Sequence, residues 1–164
     1  IKDNLVSSFN GNREARAKMH IAQCLAGMAF SNAILGVVHS MAHKSGAILK
    51  VPHGCANAIY LPHAIRFNGE AAPAKHVDIA KRLGLPGNSD QDYVNALAVM
   101  VEDLSRTLQI PMTLQAYGIA EDFFVQNQAK MAENAVGDPC TSTNPREVSP
   151  DQMKELFRLA YYGS

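Results

Sequence analysis

The apolar residues of this chain repeat every three or four positions along most of its length, not in the strict alternation of a half-buried strand. Between Arg13 and Phe30 the repeat runs through Ala17, Ile21, Cys24, Leu25, Met28 and Ala29, while Arg13, Glu14, Arg16, Lys18 and Gln23 fall mostly on other faces. This predicts a helix with a buried stripe. Small residues gather at its end and beyond (Ala26, Gly27, Ala29, Ser31, Ala33, Gly36), which lets a second helix or a ligand approach the backbone closely. A crowded interior is expected there. No segment reads as a confident strand, so the predicted fold class is all-α, a helical bundle, and 164 residues suffice for one domain with a sizeable core.

The punctuation divides the chain further. Leu35 to Ser45 continues helically, and Gly46 to Pro52 (GAILKVP) reads as a connector, with Gly46 closing the helix and Pro52 disfavouring helix at Val51. A new helix is expected from near His53, carrying Ala56, Ile59, Tyr60, His63 and Phe67 on one face. Pro62 is a kink or local break in it, and Asn68-Gly69 is its end. Ala74 to Leu83 follows, stopped by Gly84 and Pro86. Asn88, Ser89 or Asp90 caps a long helix from Gln91 to Leu108, with Val94, Leu97, Ala98, Val101, Leu104 and Leu108 as its apolar face. Two shorter helices are expected at Glu121 to Asn134 and Asp151 to Tyr161, the second with Ser149 as cap and Pro150 at its first position. With no repeat, low-complexity tract or linker, residues 1–164 read as a single helical unit. The chain opens at Ile1 without an initiator methionine, and is expected to be a piece of something longer.

Fifteen basic residues balance fifteen acidic ones. Nucleic acid and anionic membrane surfaces are recognised by clustered Lys and Arg, so neither is an expected partner. The most apolar window, Ile21 to Val38, is interrupted by Gln23, Ser31 and Asn32, and no signal-peptide pattern opens the chain; a membrane span is not expected. Cys24, Cys55 and Cys140 are too few and too odd in number for a disulfide framework, which points to a reducing, cytoplasmic setting. Cys24 and Cys55 are expected in the core.

Three of the six histidines crowd into fifteen residues, His39-Ser-Met-Ala-His43-Lys-Ser-Gly-Ala-Ile-Leu-Lys-Val-Pro-His53. His39 and His43 share one helix face at the spacing by which paired imidazoles reach one divalent metal, and His53 returns at the start of the next helix. A metal or catalytic site is one reading of this cluster and ordinary packing is the other. His20, His63 and His76 are read as hydrogen-bonded core or edge residues. The acidic residues nearest in sequence are Glu14 and Glu70, so no carboxylate is at hand for the usual catalytic shell, and the chain holds part of a site. There is no Gly-x-Gly-x-x-Gly after a strand and no Walker-type phosphate loop. Ser40 stands where a zinc protease of the His-Glu-x-x-His type has its glutamate. Asn144-Pro145-Arg146 reads as a turn before the last helix, with Arg146 available to a carboxylate or phosphate. Gly54 and Asn57 are read as helix-start and packing residues or as residues that position His53.

The run GMAFSNAILGVVHSMAHKSGAILKVPHGCANAIYLPHAIRFN, from Gly27 to Asn68, resembles the signature of the iron-containing (group III) alcohol dehydrogenases. Cys140-Thr-Ser-Thr-Asn144-Pro145-Arg146 and Tyr161-Tyr162-Gly163 resemble the family's closing segments. His-Ser-Met-Ala-His-Lys is similar in particular to the alcohol dehydrogenase part of bifunctional aldehyde-alcohol dehydrogenases. The resemblance implies the latter part of a dehydroquinate synthase-like helical domain. It implies interconversion of primary alcohols and aldehydes with NAD(H) or NADP(H), and Fe²⁺ or sometimes Zn²⁺ as Lewis acid. By position it makes His39 and His53 two of four protein ligands of the metal. His43 becomes the histidine beside the nicotinamide, and Phe30 and Cys140 line the substrate pocket. The spacing alone would have paired His39 with His43. The resemblance further implies that two ligands, an aspartate and a histidine, and the dinucleotide-binding domain lie upstream.

Two rival readings stand beside this one: a helical binding or assembly module without catalysis, and a metal-dependent lyase or hydrolase related to dehydroquinate synthase. A small-molecule alcohol or aldehyde is the expected partner of the intact enzyme. Self-association is expected of a chain whose helices lack their packing surface.

Overall fold

The computed structural model of the chain describes residues 1–163. Among them lie nine α-helices, one 3-10 turn and no strand, so the all-α expectation holds. The helices are α1 (Lys2–Phe9), α2 (Arg13–Ala33), α3 (Val37–Leu49), α4 (His53–Ala71), α5 (Pro73–Arg82), α6 (Asp90–Thr107), α7 (Leu114–Tyr117), α8 (Glu121–Val136) and α9 (Pro150–Tyr162), and the 3-10 turn Pro139–Thr143 precedes α9. The short α1, α7 and 3-10 turn were not foreseen, because each is too brief for a helical repeat to register.

The caps are local and follow the sequence. Ser89 caps α6 and Ser149 caps α9, each in a reciprocal box with the residue three positions on, Asp92 and Gln152. Such a box satisfies amide groups that a helix start otherwise leaves bare. Three boundaries differ from expectation. The helical run expected to continue through Leu35 breaks at Ile34–Gly36, and α3 starts only at Val37. α3 does not close at Gly46 but runs on to Leu49, and Lys50 takes the left-handed conformation that ends it, at φ 53°. Leu49 and Val51 are both buried, and their place in the core draws the extra turn into the helix. α4 passes through Pro62 without a break and continues beyond Asn68-Gly69 to Ala71. Pro62 is itself buried in a helix packed against α3, α6 and α9, and that packing overrides a propensity cost of about 3 kcal/mol.

α4 is the axis of the bundle. Ala56, Ile59, Tyr60 and Ala64 pack into the larger core with Met41 of α3, Phe124 and Met131 of α8, and Met153, Phe157 and Tyr161 of α9. Phe124 stacks on Tyr161 at 4.2 Å between ring centroids, and Phe157 meets Tyr60 edge-on at 5.7 Å. The Tyr60 hydroxyl lies 2.7 Å from Ser45 Oγ, which donates its own proton to the carbonyl of Met41 at 2.7 Å. Ile65, farther along α4, joins Ala80, Val94, Leu97 and Ala98 in a second core under α5 and α6. The Arg66–Glu102 pair at 2.7 Å closes the α4–α6 seam.

α2 overturns an expectation. Its apolar stripe is exposed: Ile21 is 64%, Leu25 60% and Met28 63% accessible, Cys24 is exposed as well, and Ala15 is the buried residue of this helix. Periodicity reports that a face is apolar, and what covers that face is decided by the rest of the fold. α2 packs on α1, meets α3 at 102° across the Ile34–Gly36 corner, and presents its stripe outward. Among the described residues no single helix is long and apolar enough to cross a membrane.

Candidate metal centre

His39 and His43 leave α3 one turn apart, and His53 opens α4 just after the Lys50 turn. The sharp return between the two helices brings the three imidazoles together. Ring centroids are 5.3 Å apart for His39–His53, 5.5 Å for His43–His53 and 6.1 Å for His39–His43. The two rings of the i,i+4 pair are therefore the farthest apart, and each is closer to His53.

Their bonding differs. His43 Nδ1 lies 3.3 Å from Asp138 Oδ2. No side-chain hydrogen bond to another described residue is made by His39 or His53, so their ring nitrogens are free to serve as ligands. Burial first, then the neighbouring His53 and His43, hold the His39 imidazole below its ordinary value. That favours the neutral imidazole a metal ligand must be. The donor chemistry thus suits a divalent metal, with two imidazoles supplied here, fewer than a complete shell requires.

Asp138 is the residue that sequence reasoning missed. It stands 95 positions from His43, yet it is buried and joined to the cluster through that one ring. Its Oδ1 accepts from the Cys140 amide at 3.0 Å, and Oδ2 meets Lys44 Nζ at 3.0 Å as well as His43. Burial works to raise the carboxyl, but the Cys140 amide, Lys44 and His43 together outweigh it and hold Asp138 below its usual value. The one available signal was an Asp before Pro-Cys, a common way to cap a 3-10 turn, which Asp138 does.

The same turn fastens α3. Thr141 Oγ1 lies 2.7 Å from Ser40 Oγ, and the Thr143 hydroxyl donates to the carbonyl of Leu35. Asn144 Oδ1 accepts from the Val37 amide at 3.2 Å, and a Cβ at Gly36 would sit 2.9 Å from that oxygen. Arg146 reaches the carbonyl of Phe67 at 2.7 Å and Glu70 at 2.8 Å, so the expected carboxylate partner is present.

Of the two expected pocket residues, Cys140 is buried beside the cluster, where burial raises its thiol. Its Sγ, with donor atoms of His43 and Asp138, falls within a 4.8 Å group. Phe30 stays outside this group, 47% exposed near the end of α2. A cleft of about 550 Å³ runs past His39, between Ile34 and Val38 on one side and Leu61 and Ile79 on another. Asn57, one turn beyond His53, lines it, and its Oδ1 is buried without a partner among the described residues. His63 is buried on α4, His76 bonds the carbonyl of Ala72 at 3.1 Å, and His20 is exposed on α2.

Residues 1–161 match the C-terminal part of the Fe-containing alcohol dehydrogenase family. The chain belongs to that family. Among its relatives, the NADPH-dependent butanol dehydrogenase of Clostridium saccharobutylicum is 49% identical over 164 residues, which is 100% of this chain and 42% of that one. The aldehyde-alcohol dehydrogenase of Streptococcus pneumoniae is 40% identical over 98% of this chain and 20% of its own. A crystal structure of 1,3-propanediol oxidoreductase superposes with a TM-score of 0.89 at 38% identity, over 98% of this chain and 42% of that one. The chain therefore spans less than half the length of those relatives, and its helices are those of their C-terminal, dehydroquinate synthase-like domain.

Proposed function

We propose that this chain is the C-terminal helical part of an enzyme that interconverts primary alcohols and aldehydes, exchanging hydride with NAD(H) or NADP(H). His39 and His53 hold Fe²⁺, or Zn²⁺, together with donors from outside these 164 residues. The supporting observation is the split within the cluster. His43 has spent Nδ1 on Asp138, whereas His39 and His53, 5.3 Å apart, carry no competing side-chain bond. When bound, the metal supplies positive charge that eases loss of the alcohol proton and polarises an aldehyde carbonyl.

The chain's own residues do the rest of the work assigned to this part. His43 stands beside the nicotinamide and handles the substrate proton. Cys140 and Phe30 border the substrate, and the dinucleotide is held mainly by the part of the enzyme that precedes α1. Asn57 Oδ1 offers a buried acceptor in the cleft that also runs past His39. The three cysteines are free, which supports a cytoplasmic setting.

The test is an assay of the whole protein that contains this chain, with butanol and either NAD⁺ or NADP⁺, after chelation and after Fe²⁺ or Zn²⁺ is restored. Reduced cofactor that depends on metal and is lost in His39→Ala and in His53→Ala is the expected result. Specific metal uptake without reduced cofactor would favour a lyase or hydrolase. Absence of specific uptake would favour a helical binding module.

A further inference from the structure

His43, Asp138 and Cys140 gather three donor types within 4.8 Å, the outline of a second cation site. The surroundings argue against a cation. Lys44 already places an ammonium 3.0 Å from Asp138 Oδ2, the Cys140 amide occupies Oδ1, and the buried thiol is held in its protonated form. A carboxylate fixed at both oxygens and set against one ring nitrogen has a different use. It selects the tautomer of that ring.

We propose that Asp138 is the positioning residue for His43. In the neutral ring Nδ1–H donates to Asp138 Oδ2, so Nε2 is left as the bare, basic nitrogen. A histidine side chain free in water leans modestly the other way, toward Nε2–H, so the carboxylate has to reverse that preference. A misassigned proton would put a donor where an acceptor is needed for the hydroxyl proton of a substrate. The orientation is set from outside α3. Asp138 caps the 3-10 turn through the Cys140 amide, and that turn, with Asn144 just after it, is fastened to α3 at Ser40 and Val37 and to the corner before α3 at Leu35. Lys44, on the next position of the same helix, supports the charge of Asp138 without taking the place of the ring. The device thus joins two segments almost a hundred residues apart in one dyad. The assignment of a proton-handling task to His43 rests on the function proposed above; the tautomer itself does not.

The experiment reads nitrogen-15 shifts of the imidazoles in the labelled 164-residue chain, without metal, cofactor or substrate, at a pH where the rings are neutral. In the wild type, the Nδ1–H form of His43 is expected to exceed the Nε2–H form at least about tenfold, the effect of one charge-assisted hydrogen bond. Asp138→Asn is expected to reverse that ratio. The Cys140 amide still needs an acceptor, so the new carbamoyl oxygen stays with it and the NH₂ group faces His43. Asp138→Ala is expected to leave a mixture in which Nε2–H is the larger part, the ring's own preference in water. A wild-type ring carrying mainly Nε2–H overturns the proposal, even if neither variant folds. Folded variants with an unchanged His43 spectrum overturn it as well. In the whole enzyme, Asp138→Asn is expected to lower kcat on the order of a hundredfold with little change in KM. If the whole enzyme proves inactive on alcohols while the tautomer follows the prediction, the function proposed above fails and the positioning role of Asp138 stands.

Discussion

The side-chain amides of Asn68 and Asn144 exchange two hydrogen bonds: Asn68 Nδ2 donates to Asn144 Oδ1 at 3.1 Å, and Asn144 Nδ2 donates to Asn68 Oδ1 at 2.8 Å. Asn144 also accepts from the Val37 amide at 3.2 Å and donates to the carbonyl of Arg146 at 2.7 Å. One side chain thereby ties the far part of α4 to the start of the histidine helix. Asn144→Ala strands a buried amide and a helix-start N–H, so a stability loss of about 2–4 kcal/mol is expected in urea denaturation. Asn144→Asp keeps the acceptor and forfeits the donors, and falls between. A loss below about 0.5 kcal/mol for the alanine variant would show that the pair does not hold α3 and α4 together.

At Gly69 α4 lies close against Val94 of α6. A Cβ placed there would lie 2.4 Å from Val94 Cγ1 and 2.7 Å from Cγ2. Alanine is normally worth up to about 1 kcal/mol over glycine in a helix, but the overlap outweighs it. Gly69→Ala is expected to destabilise the chain by about 1–3 kcal/mol, and Val94→Ala in the same chain to return part of that loss. Thermal or chemical unfolding of the double-mutant cycle measures the coupling. Purely additive effects would contradict the close contact.

His63 supplies the pH dependence. Burial first, and the charge of Arg66 second, push its imidazole from 6.5 down to about 4, with Glu102 opposing. Between those values the unfolded chain binds a proton that the folded chain does not, so stability falls as pH drops through that window. Above pH 6.5 the group contributes no slope. The full loss is on the order of 3 kcal/mol by the time pH reaches 4. His63→Gln is expected to flatten the stability profile between pH 6.5 and 4.5 relative to the wild type, as measured by denaturation at matched ionic strength. Parallel profiles would show that His63 titrates normally.

The exposed stripe of α2 predicts association of the 164-residue chain with itself. Ile21, Leu25, Met28 and Ile34 are each at least half exposed on one helix and its corner, and apolar patches of a few hundred Å² tend to recruit partners. Sedimentation at micromolar concentration is expected to show oligomers. Ile21→Lys with Leu25→Glu is expected to shift them to monomer without loss of helicity, since neither side chain is buried. A wild-type monomer would show that the stripe is tolerated in water.

Much of the architecture was legible because helix signals are short-range. The capping serines Ser89 and Ser149 act within three residues, and the repeats through Val94, Leu97 and Ala98 and through Ala56, Ile59, Tyr60 and His63 correspond to buried faces of α6 and α4. The errors have the opposite character. At Gly46 and Pro62 a residue with a poor helix propensity was overruled by contacts with distant helices. The stripe from Ala17 to Ala29 has the right period but no helix of these residues over it. Among the site residues, His39 and His43 were placed on one face by their spacing, but Asp138 carries no local mark that ties it to them.

Legible in the residues alone were the longer helices, most of their ends, the family signature, and the crowding of three histidines into fifteen residues of chain. Tertiary structure alone decided which imidazoles stand nearest, which of them takes a carboxylate partner, and which apolar face stays in water. The reason is the range of the forces concerned. Period, capping and spacing are set by neighbours within about four residues along the chain. Burial and the pairing of His43 with Asp138 depend on groups about a hundred residues away, brought together when α3, α4 and the 3-10 turn close on one core.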